Sequence, residues 1–179
     1  MAAHDYEFQT RWRVDGPPED PYDVIADPEA LPRWWPSVYL RVAVLSPPGE
    51  EPRVVELHTK GFLPYTLRWR FATTERVRPW RIALEARGDF VGRGLWTFAA
   101  RDGGTDIDFD WRLRAEKPML RRLSFLMKPL FSANHRWAMA RGEESLALEL
   151  RRRRAASDAE RASIPPPPGP TFPHNLRRA

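Results

Sequence analysis

Apolar and polar residues alternate strictly from Tyr6 to Val14, and this period of two predicts a β-strand with one buried and one solvated face. Six further segments have a strand-like pattern and are separated by turns that contain Pro or Gly. They span residues 38–45, 53–60, 65–74, 80–87, 95–101 and 106–114. An apolar face opposes a charged face along these segments, so the pattern predicts an antiparallel sheet with one side in contact with water.

Helical patterns lie on both sides of the six-strand run. Breaker residues after the first strand predict the start of a short helix over residues 19–26, and Asp27-Pro28 caps a second short helix over residues 31–34. A long helix is expected from residue 118 to about residue 154, and Pro129 inside it predicts a break or kink. The apolar stripe of this helix allows it to cover the concave face of a strongly twisted sheet.

The regular pattern ends at Arg154. The residues beyond it contain the run Pro165-Pro166-Pro167-Pro168 and little apolar material, so neither a helix nor a central strand is expected around that run. We therefore divide the chain into a folded domain, residues 1–154, and a disordered, basic, Pro-rich tail, residues 155–179. Because such a tail buries little apolar surface, its removal is expected to leave the unfolding midpoint nearly unchanged.

The predicted fold is of the α+β class. It combines a seven-stranded, curved antiparallel sheet with two short helices and a long C-terminal helix. Four local motifs accompany this order of elements. They are Trp34-Trp35-Pro36, the connection at residues 60–65, the Gly-rich segment at residues 88–96, and the segment from residue 135 to residue 144 on the last helix.

With these motifs, residues 5–152 resemble the SRPBCC (START-like) superfamily, and within it the bacterial branch of polyketide cyclase and dehydrase-like proteins. The resemblance implies a helix-grip fold, in which the curved sheet and the long helix enclose an apolar pocket. It does not imply one activity, because the superfamily includes binding proteins, cyclases, dehydratases and proteins of no known activity.

The positive charge of the chain is confined to its C-terminal end. The net charge is +5, and residues 151–179 hold seven of the 29 Lys and Arg residues but only two of the 24 acidic residues. The body is therefore neutral, which is not typical of a nucleic-acid-binding fold, and no specific nucleic acid partner is expected. No apolar run approaches the roughly 18 residues that a membrane span requires. The N-terminus lacks the pattern of a signal peptide, so we expect a cytoplasmic protein.

Several classes of chemistry find no support in the residue types. The chain has no Cys, which excludes disulfides and thiolate metal sites. The four His residues, His4, His58, His135 and His174, are scattered without metal-ligand spacing, so neither a metal site nor a cofactor is predicted. The glycines between residues 88 and 94 lack the spacing of a phosphate-binding loop, and no Ser lies in a nucleophile-elbow motif.

General acid–base chemistry inside a pocket remains, and four residues are candidates for it. His135 lies on a mostly apolar helix face, where it acts either as a base or carbonyl ligand or as a core histidine. Asp89 lies either at the cavity mouth or within a turn that it organises. Tyr65 begins a strand, where a rim position is common. Arg141 either binds an anionic ligand or forms an ion pair with Glu144 on the same helix.

Aromatic residues on the apolar faces are the predicted lining of the pocket. The chain has 8 Trp and 9 Phe residues, which either surround a ligand or fill the core of a curved sheet. The predicted ligand-binding residues are Trp34, Trp69, Phe71, Trp96, Phe109, Trp111, His135 and Trp137. One helix, about 10 Å across, is too narrow to fill such a sheet, so a cavity of roughly several hundred Å³ is expected. Enlarging Gly142 on this helix is expected to fill it.

Three functions are compatible with this reading. The first is binding of a small hydrophobic molecule, lipid- or polyketide-like, which needs only a cavity and one or two polar anchors. The second is a cyclase or dehydratase that acts on a polyketide-like or aromatic substrate, which needs a convergent acid–base pair. The third is an interaction module that uses the basic tail. No obvious pair of catalytic groups stands out, so the sequence favours the carrier and leaves open whether the chain is an enzyme. The oligomeric state is not indicated.

Overall fold

The computed structural model describes residues 5–116 and 118–172. Within these residues, seven strands form one antiparallel sheet in the spatial order β1-β7-β6-β5-β4-β3-β2. The strands are β1 (Asp5–Asp15), β2 (Tyr39–Val44), β3 (Val54–Lys60), β4 (Thr66–Val77), β5 (Arg81–Gly88), β6 (Phe90–Arg101) and β7 (Gly104–Ala115). The helices are α1 (Glu19–Ile25), α2 (Leu31–Trp34), α3 (Pro118–Arg154) and α4 (Asp158–Ser163), and a 3-10 turn at Pro28–Ala30 precedes α2. The predicted fold class is confirmed.

The first and last strands along the chain, β1 and β7, are neighbours in the sheet, and their charged residues lie on the solvated face. Arg11 is opposite Asp108 in the register of β1 and β7, and its Nε lies 2.8 Å from that carboxylate. Arg13 pairs in the same way with Asp106 at 2.7 Å. Between these residues, Trp12 is 2 % exposed and faces the core. The alternation in the sequence therefore sets which side of the sheet faces the core.

Helix α3 runs from Pro118 to Arg154 without interruption, so of the break or kink predicted at Pro129 the break does not occur. A proline removes a single backbone hydrogen bond, and the other bonds of the helix remain available on both sides of it. At Gly142, α3 lies directly against the aromatic core. A Cβ atom there would lie 2.3 Å from Trp35 Cζ2 and 2.7 Å from Trp12 Cζ2. Gly142 is thus packed against tryptophans, and the expectation that a larger residue there fills a cavity is wrong.

A buried carboxylate joins α2 to the C-terminal part of α3. Glu149 is 2 % exposed and accepts two hydrogen bonds of 2.8 Å from Arg33. A third bond of 2.9 Å comes from Arg153 Nε, one turn further along α3. Burial alone would raise the pKa of Glu149, but the hydrogen bonds from the two guanidinium groups outweigh it and hold the pKa below its ordinary value.

The part of the tail that the structure describes differs from the disorder predicted for residues 155–179. Ser157 caps α4 by accepting a 3.1 Å hydrogen bond from the Glu160 N–H, and Ile164 is 7 % exposed. Thr171 Oγ1 donates a 3.2 Å hydrogen bond to the Gly61 carbonyl. Composition indicated a tail too polar to dock, but a capped helix, one buried Ile and main-chain contacts hold residues 155–172 against the body. Residues 173–179 of the predicted tail lie outside the described residues, and the domain boundary at residue 154 stays a prediction.

No helix within the described ranges combines the length and the hydrophobicity that crossing a membrane requires. The same ranges contain no group of three or more His, Asp and Glu side chains placed to hold a metal ion.

Candidate ligand-binding cavity

A cavity of about 220 Å³ lies between the inner face of the sheet and helices α2 and α3. Seven of the eight predicted ligand-binding residues line it. These are Trp34, Trp69, Phe71, Trp96, Phe109, Trp111 and His135. The volume is smaller than the several hundred Å³ expected from the sequence, because the large aromatic side chains themselves occupy much of the space beneath the helix. Their role in binding stays a prediction.

The sheet side of the cavity is a continuous layer of aromatic rings. The Trp96 and Phe109 rings are stacked, with centroids 4.0 Å apart and planes 14° apart, and Phe109 stacks in turn on Trp111 at 5.5 Å. Trp69 lies 5.9 Å from Trp111 and donates its indole N–H to Thr59 Oγ1 at 3.0 Å. Because each ring is held by its neighbours and the Trp69 donor is satisfied, this wall is preorganised and apolar.

His135 lies on the helix side of the cavity with its imidazole stacked on Phe8, the ring centroids 4.0 Å apart. Burial, reinforced by the charge of the neighbouring Arg136, lowers the pKa of His135 to about 4. The imidazole is therefore neutral near pH 7. Its Nε2 atom is buried and has no hydrogen-bond partner among the residues that the structure describes. His135 is thus a neutral hydrogen-bonding group rather than a strong base.

Two tyrosines lie on the same wall at this end of the cavity. Phe131 packs edge-on against the Tyr65 ring at 6.2 Å and against the Tyr6 ring at 6.4 Å. Burial raises the pKa of Tyr65 to about 12, and the nearby Tyr6 adds to the shift. The Tyr65 phenol remains protonated at neutral pH, where it serves as a hydrogen-bond donor or acceptor. The sequence pointed to Tyr65 but missed Tyr6, although Tyr6 belongs to the apolar face of the first strand.

The connection between β3 and β4 forms a further part of the wall. Asn134 on α3 accepts a 3.2 Å hydrogen bond from the Leu63 N–H. A Cβ atom on Gly61 would lie 2.2 Å from Asn134 Oδ1, so a larger residue there would have to displace the Asn134 side chain. Lys60, Gly61 and Asn134 all line the cavity. Lys60 and Gly61 belong to the motif at residues 60–65, but nothing in that motif indicates contact with the last helix.

Three of the candidates from the sequence lie away from the cavity. Asp89 Oδ2 accepts a 2.9 Å hydrogen bond from the N–H of Arg68 on β4, so its side chain joins two segments of the sheet rather than organising its own turn. Arg141 pairs with Glu144 at 2.7 Å, and its guanidinium lies 5.9 Å from the Trp137 ring. Trp137 packs edge-on against Phe62 at 6.1 Å and does not line the cavity, contrary to the prediction. In a helix, positions 137 and 141 share one face, and cavity-lining positions 135, 138 and 139 share another.

The sequence profile of one protein family, described as polyketide cyclase / dehydrase and lipid transport, matches residues 6–150. No curated protein matches the chain in sequence. The fold is similar to that of Zhui aromatase/cyclase from a Streptomyces species, with a TM-score of 0.66 and 17 % identity over 87 % of this chain and 99 % of that one.

Two further solved structures share the fold. A Thermus thermophilus protein has a TM-score of 0.65 and 18 % identity over 84 % of this chain and 100 % of its own. A START superfamily protein from Mycobacterium smegmatis has a TM-score of 0.60 and 14 % identity over 78 % of this chain and 98 % of its own. At these identities the likeness concerns the fold alone.

Proposed function

The chain belongs to the family of polyketide cyclases, dehydrases and lipid transport proteins, and on this premise we propose that it binds a small hydrophobic ligand in the cavity between the sheet and α3. The observation that carries the proposal is the cavity of about 220 Å³ with a wall of stacked aromatic rings. An apolar cavity of about 150 Å³ accommodates benzene in another protein. The volume here therefore fits a substituted aromatic ring or a short acyl chain.

Burial of the ligand supplies most of the affinity, and a few polar groups select the ligand. A compound that buries about 250 Å² of apolar surface gains roughly 6 kcal/mol at 25 cal/mol per Å², before the costs of association. Tyr65, Asn134 and His135 are among the polar groups on the wall. The Asn134 amide carries no charge, and burial keeps the Tyr65 phenol and the His135 imidazole neutral at pH 7. They favour hydroxyl and carbonyl groups on an otherwise apolar compound.

The test is stoichiometric binding of a fluorescent apolar probe, compared between two helix variants. Ala138 lines the cavity, whereas Ala147 is an exposed residue of the same helix. Ala138→Leu is expected to weaken probe binding at least tenfold because the leucine side chain occupies the cavity. Ala147→Leu is expected to leave probe binding unchanged. Absence of saturable binding to the native chain, or equal binding by both variants, would contradict the proposal.

A cyclase or dehydratase activity is the second candidate, and one observation favours it. Tyr6, Tyr65 and His135 bring two phenols and an imidazole to one end of the wall. With a pKa of about 4 for His135 and about 12 for Tyr65, neither group exchanges protons readily at pH 7. The arrangement is better suited to orienting a carbonyl by hydrogen bonds, which favours the carrier function over catalysis.

Turnover distinguishes the two functions. Incubation with an aromatic or polyketide-like poly-β-carbonyl compound, followed by mass spectrometry, detects any cyclised or dehydrated product. An enzyme is expected to lose product formation in His135→Gln or Tyr65→Phe while still binding the apolar probe. A carrier yields no product above the protein-free rate.

A further inference from the structure

Lys60 is a buried cation at the end of β3, and the C-terminal segment covers it. We refer to residues 164–172 as the strap. Lys60 lines the cavity and is only 4 % exposed. Its Nζ donates a hydrogen bond to the Thr171 carbonyl and lies 5.4 Å from the centroid of the Phe172 ring. Among the residues that the structure describes, no carboxylate lies within ion-pair distance of Lys60, so both partners of the ammonium come from the strap and neither is an anion.

A buried ammonium that meets only a neutral carbonyl and a ring is incompletely compensated. Burial lowers the pKa of Lys60, as expected for a cation that loses water without gaining an anion. A carboxylate in place of the carbonyl would add a Coulombic attraction between two full charges, and this attraction is stronger in a partly desolvated site than in water. The site around Lys60 is therefore more complementary to a carboxylate than to the carbonyl that occupies it.

The strap reaches Lys60 because its two ends are held and its middle is stiff. At one end, Arg152 of α3 donates to the Pro165 carbonyl, and Ile164 is buried. At the other end, Thr171 Oγ1 bonds to the Gly61 carbonyl at 3.2 Å. The four consecutive prolines between these ends favour an extended polyproline conformation, which advances about 3.1 Å per residue and loses little entropy on docking. The polyproline run thus acts as a spacer that presents Thr171 to the cavity wall.

We propose that Lys60 is the anchor for the carboxylate of an acidic ligand with an apolar body, and that the strap occupies this anchor when no acid is bound. The inference rests on the proposed binding of a hydrophobic ligand in the cavity and specifies its chemical class. An acid that pairs with Lys60 takes the place of the Thr171 carbonyl. By thermodynamic linkage, a strap that docks less firmly raises the affinity for acids and leaves that for neutral compounds unchanged.

The experiment compares a carboxylic acid with its uncharged primary amide on the same skeleton, 2-naphthoic acid against 2-naphthamide, in calorimetric titrations of the full chain at pH 7. The acid is expected to bind at least tenfold more tightly. Lys60→Met is expected to reduce this preference to twofold or less, and Lys60→Arg to retain it. Arg141→Met is the matched control, since it also removes one positive charge but lies away from the cavity, and it is expected to keep the full preference.

Equal binding of acid and amide to the native chain overturns the role of Lys60 but leaves the proposed cavity function intact. If neither compound binds and the apolar probe does not bind either, the proposed function itself fails. Should Lys60→Met lose its native thermal transition, the comparison of native chain, Lys60→Arg and Arg141→Met still decides. Loss of the preference in Arg141→Met would show that it reflects net charge, which overturns the assignment to Lys60.

The strap is tested in the full chain by the double substitution Thr171→Ala and Phe172→Ala. This change removes the hydroxyl that bonds to Gly61 and the ring that lies over the Lys60 ammonium. The acid is expected to bind several-fold more tightly to this variant, and the amide is expected to bind as before. Weaker binding of the acid would mean that the strap is part of the ligand site, and it would overturn the competition.

Discussion

The two ends of the interface between α3 and the sheet are built in opposite ways. Around Gly142 the interface is solid, because the absence of a side chain lets Trp35 and Trp12 lie directly against the helix backbone. Around His135, two turns earlier on the same helix, the interface is hollow and contains the cavity of about 220 Å³. One helix and one sheet thus provide both a rigid core and a binding site.

The buried ionisable groups at the two ends also differ. At the solid end, the buried carboxylate of Glu149 is compensated by Arg33 and Arg153. At the hollow end, His135 Nε2 has no partner among the described residues, and Lys60 has only the strap. Glu149 is thus a compensated buried charge, whereas His135 and Lys60 retain hydrogen-bonding capacity for a ligand.

The largest expected effect comes from Gly142→Leu at the solid end. Even its Cβ would lie 2.3 Å from Trp35, and the remaining carbons meet the tryptophan layer. We expect a loss of about 3 kcal/mol or more in the free energy of unfolding, measured by urea denaturation, because this core has no room to accept added volume. Leucine has a higher helix propensity than glycine. A neutral or stabilising result would therefore mean that there is free space between residue 142 and the tryptophans.

Removing the partner of the buried carboxylate should have the next largest effect. Arg33→Met deletes two of the three hydrogen bonds to Glu149 and leaves a poorly compensated buried charge. Because Arg153 remains, we expect a loss of about 2 kcal/mol, below the 3–5 kcal/mol typical of a completely broken buried pair. Arg70→Met is the control, since the Arg70–Glu56 pair is exposed and contributes less than about 1 kcal/mol.

At the hollow end, the buried neutral His135 should make the stability of the chain sensitive to acid. The pKa of His135 is about 4 in the folded chain and 6.5 when exposed, so the unfolded state binds the extra proton between these values. Stability associated with the neutral imidazole is therefore complete above pH 6.5 and is lost as the pH falls towards 4. We expect His135→Gln to lose on the order of 1–2 kcal/mol less than the native chain between pH 7 and pH 4.5. The free energy of unfolding is measured by denaturation at both pH values. If the native chain and His135→Gln lose the same amount between them, a lowered pKa of His135 is excluded.

The smallest effect on stability is expected for Ala138→Leu. This residue adds volume one helical turn before Gly142, but into the cavity rather than into the tryptophan layer. The free energy of unfolding should change by less than about 1 kcal/mol, since filling a void offsets the strain of added carbons. Thermal unfolding of Ala138→Leu and Gly142→Leu side by side therefore measures the difference between the two ends. A similar loss in both variants would contradict it.

Most of the architecture could be predicted from local patterns, and most errors concerned contacts between distant segments. Alternation placed β1 and its buried Trp12 correctly, and the predicted Arg141–Glu144 pair is present because both residues belong to one helix turn. Trp137 was assigned to the cavity because it is aromatic, but it lies two positions after His135 on α3 and its ring faces Phe62. Successive helix positions differ in direction by about 100°, so side chains two positions apart point to nearly opposite sides. Residue type alone therefore does not show which helix residues face the cavity.

By itself, the sequence determined the order of strands and helices up to residue 154, the face of each strand that meets the core, and the aromatic character of that core. These features depend on residue type and on periods of two or 3.6 residues. Only the tertiary structure decided that Gly142 closes one end of the interface while the other end stays open, and that the tail returns to cover Lys60. Both features depend on distances between segments far apart in the chain. Such distances result from the packing of all the elements together, which no local pattern encodes.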